Sequence, residues 1–169
     1  MKVLIYHARQ CNPKACTANK LKKFGLAELF YTAKKMPKGG VVLSPFSKKV
    51  LSGEDARYLK AGIVALDCSW KHAIDVFSSI KMPLLQRALP LLVAANPVNY
   101  GKVAKLTTAE AISSALYILG KRDRAEEILS KFKWGKSFTD LNKDLLESYS
   151  KGKTEKEIKG IQEEYFGGR

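Results

Sequence analysis

Apolar residues in the first hundred positions fall into short runs, and polar, turn-forming stretches rich in Gly, Pro, Asn and Ser separate them. Runs of this length that are almost wholly apolar are typical of buried β-strands. We predict four such strands, at residues 2–7, 41–45, 63–67 and 89–95. Because these runs are continuous rather than alternating, they indicate a mostly parallel sheet that is covered on both faces.

Segments whose apolar residues have helical spacing lie between these strands and make up most of the second part of the chain. Ser52 with Asp55 three residues later resembles a capping box, and Ser69 is a candidate N-cap. The segments with helical character are residues 18–24, 26–35, 52–61, 69–80, 107–120, 122–135, 138–150 and 154–166. The predicted fold class is therefore α/β, with an α/β part at residues 1–105 and a helical part at residues 106–169.

The charge distribution changes this picture by indicating a partner. Of the net charge of +14, the first forty residues contribute +8, from nine basic residues and a single acid, Glu28. Such a nearly single-sign region favours a polyanion such as RNA, although a lysine-rich, solvated surface is the alternative. The candidate RNA-binding residues are Arg9, Lys14, Lys20, Lys22, Lys23 and Arg57.

The sequence does not support a membrane protein or a metal site. The longest uncharged run, residues 88–101, is interrupted by prolines, and the N-terminus reads as a strand rather than a signal peptide, so we expect a cytoplasmic protein without a membrane span. The spacing of Cys11 and Cys16 does not fit a zinc ribbon, and neither histidine is paired with them by any motif, so no metal is predicted. Buried thiols or a local disulfide remain as alternatives.

Polar residues follow every predicted strand, where ligands of open α/β sheets bind. They are Thr17, Ser44, Asp67, Ser69, Trp70, Asn96, Asn99 and Tyr100. Asp67 is the only acid at a strand end, and it serves there either as an N-cap or as a functional carboxylate. No glycine-rich phosphate motif is present, which argues against dinucleotide and nucleoside triphosphate binding.

Six segments in this order resemble the family of ribosomal RNA aminocarboxypropyltransferases over residues 1 to about 150: "QCNPKACTANKL", "VLSP", "LSGEDARYLKAGIVALDCSW", "RALPLLVAANPVNYG", "KLTTAEA" and "FKWGKSFTDLNKDLLESY". The resemblance implies a SPOUT-like fold with a trefoil-type knot, and S-adenosylmethionine as co-substrate. It implies transfer of the 3-amino-3-carboxypropyl group to N3 of an N1-methylpseudouridine in small-subunit rRNA. The rRNA or pre-ribosomal subunit is then the partner; the sequence does not determine the oligomeric state, and a monomer is the default expectation.

The resemblance also implies roles for individual residues. Thr17 would contact the aminocarboxypropyl end of the co-substrate, and Leu66 would offer its backbone carbonyl to the ribose. Asp67 would lie close to the accepting base, as the candidate catalytic residue. The remaining co-substrate contacts would be Trp70 and Ala73 around the methyl group, and Leu89, Ala104 and Thr108 near the adenine and the tail. The chain departs from the family pattern at Asn12, Ala18 and Val103–Ala104.

The implied chemistry is physically reasonable. A sulfonium has three carbons open to attack, and the one that faces the nucleophile reacts. Trp70 would shield the methyl carbon and suit the sulfonium cation, and Asp67 could accept or orient the N3 proton. Two alternatives remain: a methyl-transferring SPOUT-like RNA enzyme with the same co-substrate, and a non-catalytic rRNA-binding assembly factor.

Overall fold

The computed structural model describes residues 1–10, 12, 16–32, 39–68 and 85–167. The described strands are β1 (Val3–His7), β2 (Glu28–Phe30), β3 (Val41–Leu43), β4 (Ile63–Asp67) and β5 (Leu85–Arg87). The described α-helices are α1 (Thr17–Lys23), α2 (Thr108–Ile118), α3 (Arg122–Leu129), α4 (Gly135–Leu141), α5 (Lys143–Lys151) and α6 (Glu155–Phe166). A 3₁₀ helix, Gly53–Tyr58, lies between β3 and β4.

The five strands form one sheet in the order β2-β1-β4-β3-β5, and every pairing between them is parallel. The predicted α/β class with a parallel sheet is therefore confirmed. Strands β1 and β4 are central and pair over their full lengths, from Val3 opposite Ile63 to His7 opposite Asp67. Their last residues consequently lie side by side at the carboxyl edge of the sheet.

Both faces of the sheet carry buried apolar side chains, as the continuous apolar runs predict. Ile5 and Ile63 belong to a large core cluster that also includes Ile112 of α2 and Leu146 of α5. The residues that alternate with them form a second, smaller cluster: Leu4, Phe30, Val42 and Val64. This division follows from the two-residue period of a strand, which sends neighbouring side chains to opposite faces.

The predicted helix at residues 26–35 is wrong where the structure describes it, because Glu28–Phe30 is strand β2. Apolar residues at 26, 29 and 30 match helical spacing, and a short run of this kind does not distinguish helix from strand. These residues form a strand because β1 has an edge open for pairing, and β2 pairs with it from Leu4 opposite Glu28 to Tyr6 opposite Phe30.

The predicted strand at residues 89–95 is also wrong, and the strand instead lies at Leu85–Arg87. Side chains from the C-terminal helical part supply the hydrogen-bond partners that a neighbouring strand would otherwise provide. The Leu91 N–H donates to Gln162 Oε1 at 2.9 Å, and the Val93 N–H donates to Asn142 Oδ1 at 2.8 Å. With its polar groups satisfied in this way, the apolar segment can be buried without joining the sheet.

Asn142 also explains why the predicted helix at residues 138–150 is two helices, α4 and α5. Its fully buried amide both accepts from the Val93 N–H and donates to the Val93 carbonyl, each at 2.8 Å.

The predicted helix at 122–135 ends early, at Leu129, and Gly135 packs directly against the Leu129 carbonyl at the start of the next helix. Half of the capping box predicted at Ser52 and Asp55 is present: the Ser52 N–H donates to Asp55 Oδ2 at 3.2 Å, whereas the Ser52 hydroxyl has no hydrogen-bond partner in the described part of the chain. The predicted helix at 69–80 lies outside the described residues.

Candidate active site

A cavity of about 260 Å³ opens at the carboxyl ends of β3, β4 and β5, where the sequence predicted a ligand. This is close to the lower end of the range for small-molecule sites. Its walls are mainly apolar, with hydroxyl groups from one serine and two threonines. The lining residues are Leu43, Ser44, Pro45, Ala65, Leu66, Cys68, Ala88, Leu89, Pro90, Leu91, Ala104, Leu106, Thr107, Thr108 and Ala111.

Four of the predicted co-substrate residues come together in this cavity although they are far apart in the chain: Leu66, Leu89, Ala104 and Thr108. Thr17 is the first residue of α1 and is not among the lining residues of the described part of the chain. Trp70 and Ala73 lie outside the described residues, so their proposed contacts with the methyl group stay predictions.

The segment that closes one side of the cavity has an unusual backbone. Ala104 has a φ of +61°, in the left-handed region that non-glycine residues rarely adopt. The Ala104 N–H donates to the Leu92 carbonyl at 2.9 Å, and Gly101, with a φ of +78°, donates to the Ala94 carbonyl at 2.8 Å. Strained residues of this kind persist only where the surroundings impose them, and they cluster at functional sites.

Glu110 of α2 anchors the same segment and is fully buried. Its carboxylate accepts hydrogen bonds from the backbone N–H groups of Ala95 (2.8 Å), Asn96 (3.0 Å) and Thr107 (2.7 Å). It also accepts from the Asn96 side-chain amide at 2.8 Å and the Thr107 hydroxyl at 2.9 Å. The motif "TTAE" is thus both the capping box of α2 and the attachment point of residues 95–96, and it places Thr107 and Thr108 against the cavity.

Ser44, a polar residue of the cavity wall, has a buried hydroxyl that indicates a ligand with a polar group. It is only 2% exposed, and its Oγ has no hydrogen-bond partner within the described part of the chain. A buried hydroxyl without a partner costs about 1–3 kcal/mol, so a polar group of a bound ligand would stabilise it.

Asp67, the last residue of β4, is largely buried, with 16% of its side chain exposed. Its Oδ1 accepts from the Thr108 hydroxyl at 2.9 Å, which joins the carboxylate to a residue of the cavity wall. Its Oδ2 lies 3.3 Å from both Cys16 Sγ and His7 Nε2. The alternative role as an N-cap concerns the predicted helix at residues 69–80, which lies outside the described residues.

Sequence reasoning missed His7 and Cys16 as neighbours of Asp67. No sequence motif pairs His7 with another residue, yet its position at the end of β1 places it next to the end of β4. The available signal was that both strands end on a polar residue; the strand order that makes them adjacent is not readable from the sequence. The Cys16 side chain is a thiol and caps α1 by accepting from the Asn19 N–H, while Cys11 lies outside the described residues.

Cys68 also lines the cavity, and its chemistry is restricted. Burial, and then the charge of the neighbouring Asp67, raise the pKa of the Cys68 thiol to about 11. The group is therefore a protonated thiol at neutral pH, and it serves as a small wall residue rather than as a nucleophile.

The described candidate RNA-binding residues are exposed and lie on three separate segments. Lys20, Lys22 and Lys23 occupy the last turn of α1. The Arg9 guanidinium lies 4.5 Å from the centre of the Tyr31 ring, and Arg57 lies 4.9 Å from that of Tyr58. Lys14 lies outside the described residues. None of the helices in the described part of the chain has the length and apolar content needed to cross a lipid bilayer.

Comparison with known proteins identifies the family. The model described as "Ribosome biogenesis protein, C-terminal" matches residues 41–166, and one described as "Possible Fer4-like domain in RNase L inhibitor, RLI" matches residues 1–35. The 16S rRNA aminocarboxypropyltransferase of Methanopyrus kandleri is 48% identical over 165 residues, covering 97% of this chain and 98% of that protein. That of Methanococcoides burtonii is 49% identical over 163 residues, covering 96% and 93%.

The chain belongs to the 16S rRNA aminocarboxypropyltransferase family. The resemblance inferred from the six sequence segments is thereby confirmed. A solved structure, the SAM-dependent rRNA:acp-transferase Tsr3 from Vulcanisaeta distributa, matches with a TM-score of 0.86 and 36% identity over 99% of this chain and 98% of that one. Cluster ligation takes four cysteines, and residues 1–35 contain two, so the Fer4-like match does not indicate an iron–sulfur cluster.

Proposed function

We propose that the protein transfers the 3-amino-3-carboxypropyl group from S-adenosylmethionine to N3 of an N1-methylpseudouridine in small-subunit rRNA. The protein is an enzyme, and S-adenosylmethionine is its co-substrate. The observation that supports the proposal is the link between the Asp67 carboxylate and the cavity. Thr108 lines the cavity and donates its hydroxyl hydrogen bond to Asp67, so an acceptor base beside Asp67 would also lie beside the co-substrate.

The residues of the cavity fit S-adenosylmethionine. Apolar walls from Leu66, Leu89 and Leu91 suit the adenine and ribose carbons. The unpartnered hydroxyl of Ser44 offers a hydrogen bond to a polar group of the ligand. Sites of this type combine mainly apolar walls with a few well-placed polar atoms.

The reaction depends on which carbon of the sulfonium faces the base. In the proposed step, N3 of the base forms a bond to the terminal carbon of the aminocarboxypropyl group. The bond from that carbon to sulfur breaks, and its electron pair stays on sulfur, which leaves as methylthioadenosine. The N3 proton is lost, and Asp67 is placed to accept or orient it. Trp70, outside the described residues, is proposed to shield the methyl carbon.

The test is transfer from S-adenosylmethionine labelled separately in the methyl and carboxypropyl groups to small-subunit rRNA that lacks the modification. The proposal expects carboxypropyl label in the RNA and methylthioadenosine as the small product. S-adenosylhomocysteine with methyl label in the RNA would instead identify a methyltransferase. Absence of any transfer, with RNA binding intact, would identify a non-catalytic assembly factor.

Replacing Asp67 by Asn tests the role of the carboxylate. We expect normal binding of S-adenosylmethionine and a single-turnover rate lower by about 10²–10⁴-fold, the usual loss for a general base. The matched control is Asp140→Asn, at an exposed carboxylate whose side chain is 62% accessible. Wild-type rates for Asp67→Asn at neutral pH would contradict a catalytic role.

We propose a SPOUT-like, knotted chain that acts as a monomer on small-subunit rRNA in the cytoplasm; the confirmed parallel sheet supports the fold class. The division into residues 1–105 and 106–169 follows the strands and helices, since all five described strands precede it and α2–α6 follow it. One core cluster contains residues of both parts, so we expect them to unfold together.

A further inference from the structure

Three side chains from three separate elements meet in a small triangle at the carboxyl edge of the sheet. His7 Nε2, Cys16 Sγ and Asp67 Oδ2 are each 3.3 Å from the other two. His7 and Cys16 are each 6% exposed, and the Asp67 side chain is 16% exposed. Asp67 is the proposed catalytic residue, and the other two have no role in the reaction as described above.

A triangle of this composition has two physical interpretations. Nitrogen, sulfur and oxygen ligands around a tetrahedral zinc ion would be separated by about 3.3–3.6 Å, given metal–ligand distances of about 2.0–2.3 Å. The three distances observed here are therefore also compatible with a three-residue metal site. The alternative is a hydrogen-bonded network in which the thiol and the imidazole both donate to the carboxylate.

The backbone of Arg9 decides between them. The Arg9 N–H donates to His7 Nδ1 at 3.1 Å, so Nδ1 carries a lone pair and the single proton of the neutral ring is on Nε2. A histidine that binds a metal through Nε2 has the opposite arrangement, in which Nδ1–H donates to an acceptor. Arg9 has a φ of +58°, an uncommon conformation for a residue with a Cβ, and its N–H holds the ring in the donating form.

We propose that His7 and Cys16 are positioning residues that orient the Asp67 carboxylate for proton transfer, a role that rests on the proposed function. The His7 Nε2–H is shared between Cys16 Sγ and Asp67 Oδ2, and the Cys16 S–H donates to the same Oδ2. Thr108, on the opposite side, donates to Oδ1. These donors turn Oδ2 toward β1 and α1 and Oδ1 toward Thr108 and the cavity.

The first test uses matched variants that keep or remove each donor. Gln places an amide N–H near the position of Nε2, whereas Met has a similar length and no donor. We expect His7→Met to lower the single-turnover rate by about 10- to 100-fold, by analogy with the loss seen when groups that orient metal-binding side chains are removed, and His7→Gln to recover most of this loss. Binding of S-adenosylmethionine should change less than threefold in both.

Cys16 gives a second matched pair. Cys16→Ser keeps a donor to Asp67 and an acceptor for the Asn19 N–H, and Cys16→Ala removes both. We expect the transfer rate to fall for Ala and not for Ser, with melting temperatures used to correct for the lost helix cap. Equal rates for Met and Gln at position 7, or for Ala and Ser at position 16, would overturn the positioning role.

A spectroscopic arm tests the network without any transfer. Nitrogen-15 chemical shifts of His7 should show a neutral ring protonated at Nε2, and titration with Co²⁺ should produce no thiolate–cobalt absorption. Protonation at Nδ1, or a cobalt band that disappears in Cys16→Ser, would overturn the network in favour of a metal site. If the wild-type protein transfers nothing to rRNA, the proposed function and the positioning role fail together, and these spectra still decide the arrangement of the triangle.

Discussion

Glu110→Gln is the sharpest test of how the cavity is held together. The carboxylate is 0% exposed and accepts hydrogen bonds at both oxygens. Oε1 accepts from the backbone N–H groups of Ala95 and Asn96. Oε2 accepts from the Asn96 side-chain amide and from the N–H and hydroxyl of Thr107. The substitution changes neither volume nor shape, so its effect reports on the hydrogen bonds.

The expected loss can be worked out from this geometry. In either orientation of the Gln amide, its NH₂ group faces two N–H donors. These are the N–H groups of Ala95 and Asn96 in one orientation, and the Asn96 side-chain amide and the Thr107 N–H in the other. The Thr107 hydroxyl is not counted because it can turn and accept a hydrogen bond from the NH₂ group. Two buried donors without an acceptor cost about 1–3 kcal/mol each. Removing a buried charge offsets part of this cost. We therefore expect a loss of about 2–4 kcal/mol in the free energy of unfolding, which is a large share of typical protein stability.

The assay is urea unfolding monitored by circular dichroism, with thermal melting as a second measure. The expected loss corresponds to a melting temperature lower by about 4–16 °C in a chain of this size. Glu163→Gln, at an exposed glutamate of α6, is the matched control and should change stability by less than about 0.5 kcal/mol. Amide hydrogen exchange at Ala95 and Asn96 should accelerate in Glu110→Gln alone. A loss below 1 kcal/mol with unchanged exchange would refute the anchoring role.

Three further variants test separate features. Ser44→Ala removes the unpartnered cavity hydroxyl and should weaken S-adenosylmethionine binding by about 2- to 12-fold in calorimetry without lowering the melting temperature; unchanged affinity would show that the hydroxyl does not contact the ligand. Arg87→Met breaks the buried ion pair with Asp55, whose atoms are 3.0 Å apart, and should cost about 3–5 kcal/mol in urea unfolding; a loss under 1 kcal/mol would contradict this. Reversing Lys22 and Lys23 to Glu should weaken rRNA binding and reduce its salt dependence, with co-substrate affinity unchanged; unaltered RNA binding would mean that these charges are only solvated.

The sequence alone determined the elements whose local signals agree with their surroundings. Continuous apolar runs predicted β1, β3 and β4 and the parallel sheet, since only strands buried on both faces need such runs. Polar residues after those strands predicted the edge at which the cavity lies. The six family segments identified the family, and four of the residues they implied, Leu66, Leu89, Ala104 and Thr108, line that cavity.

Only the tertiary structure decided the features that depend on partners distant in the chain. Residues 28–30 are a strand because β1 offers an open side. Residues 89–95 are not one because Asn142, Tyr149 of α5 and Gln162 of α6 satisfy their backbone groups. His7 meets Asp67 because β1 and β4 are adjacent in the sheet, and Cys16 reaches the same carboxylate from the start of α1. Local propensity carries no information about strand order or about which buried donor will need an acceptor. The geometry of the site depends on both.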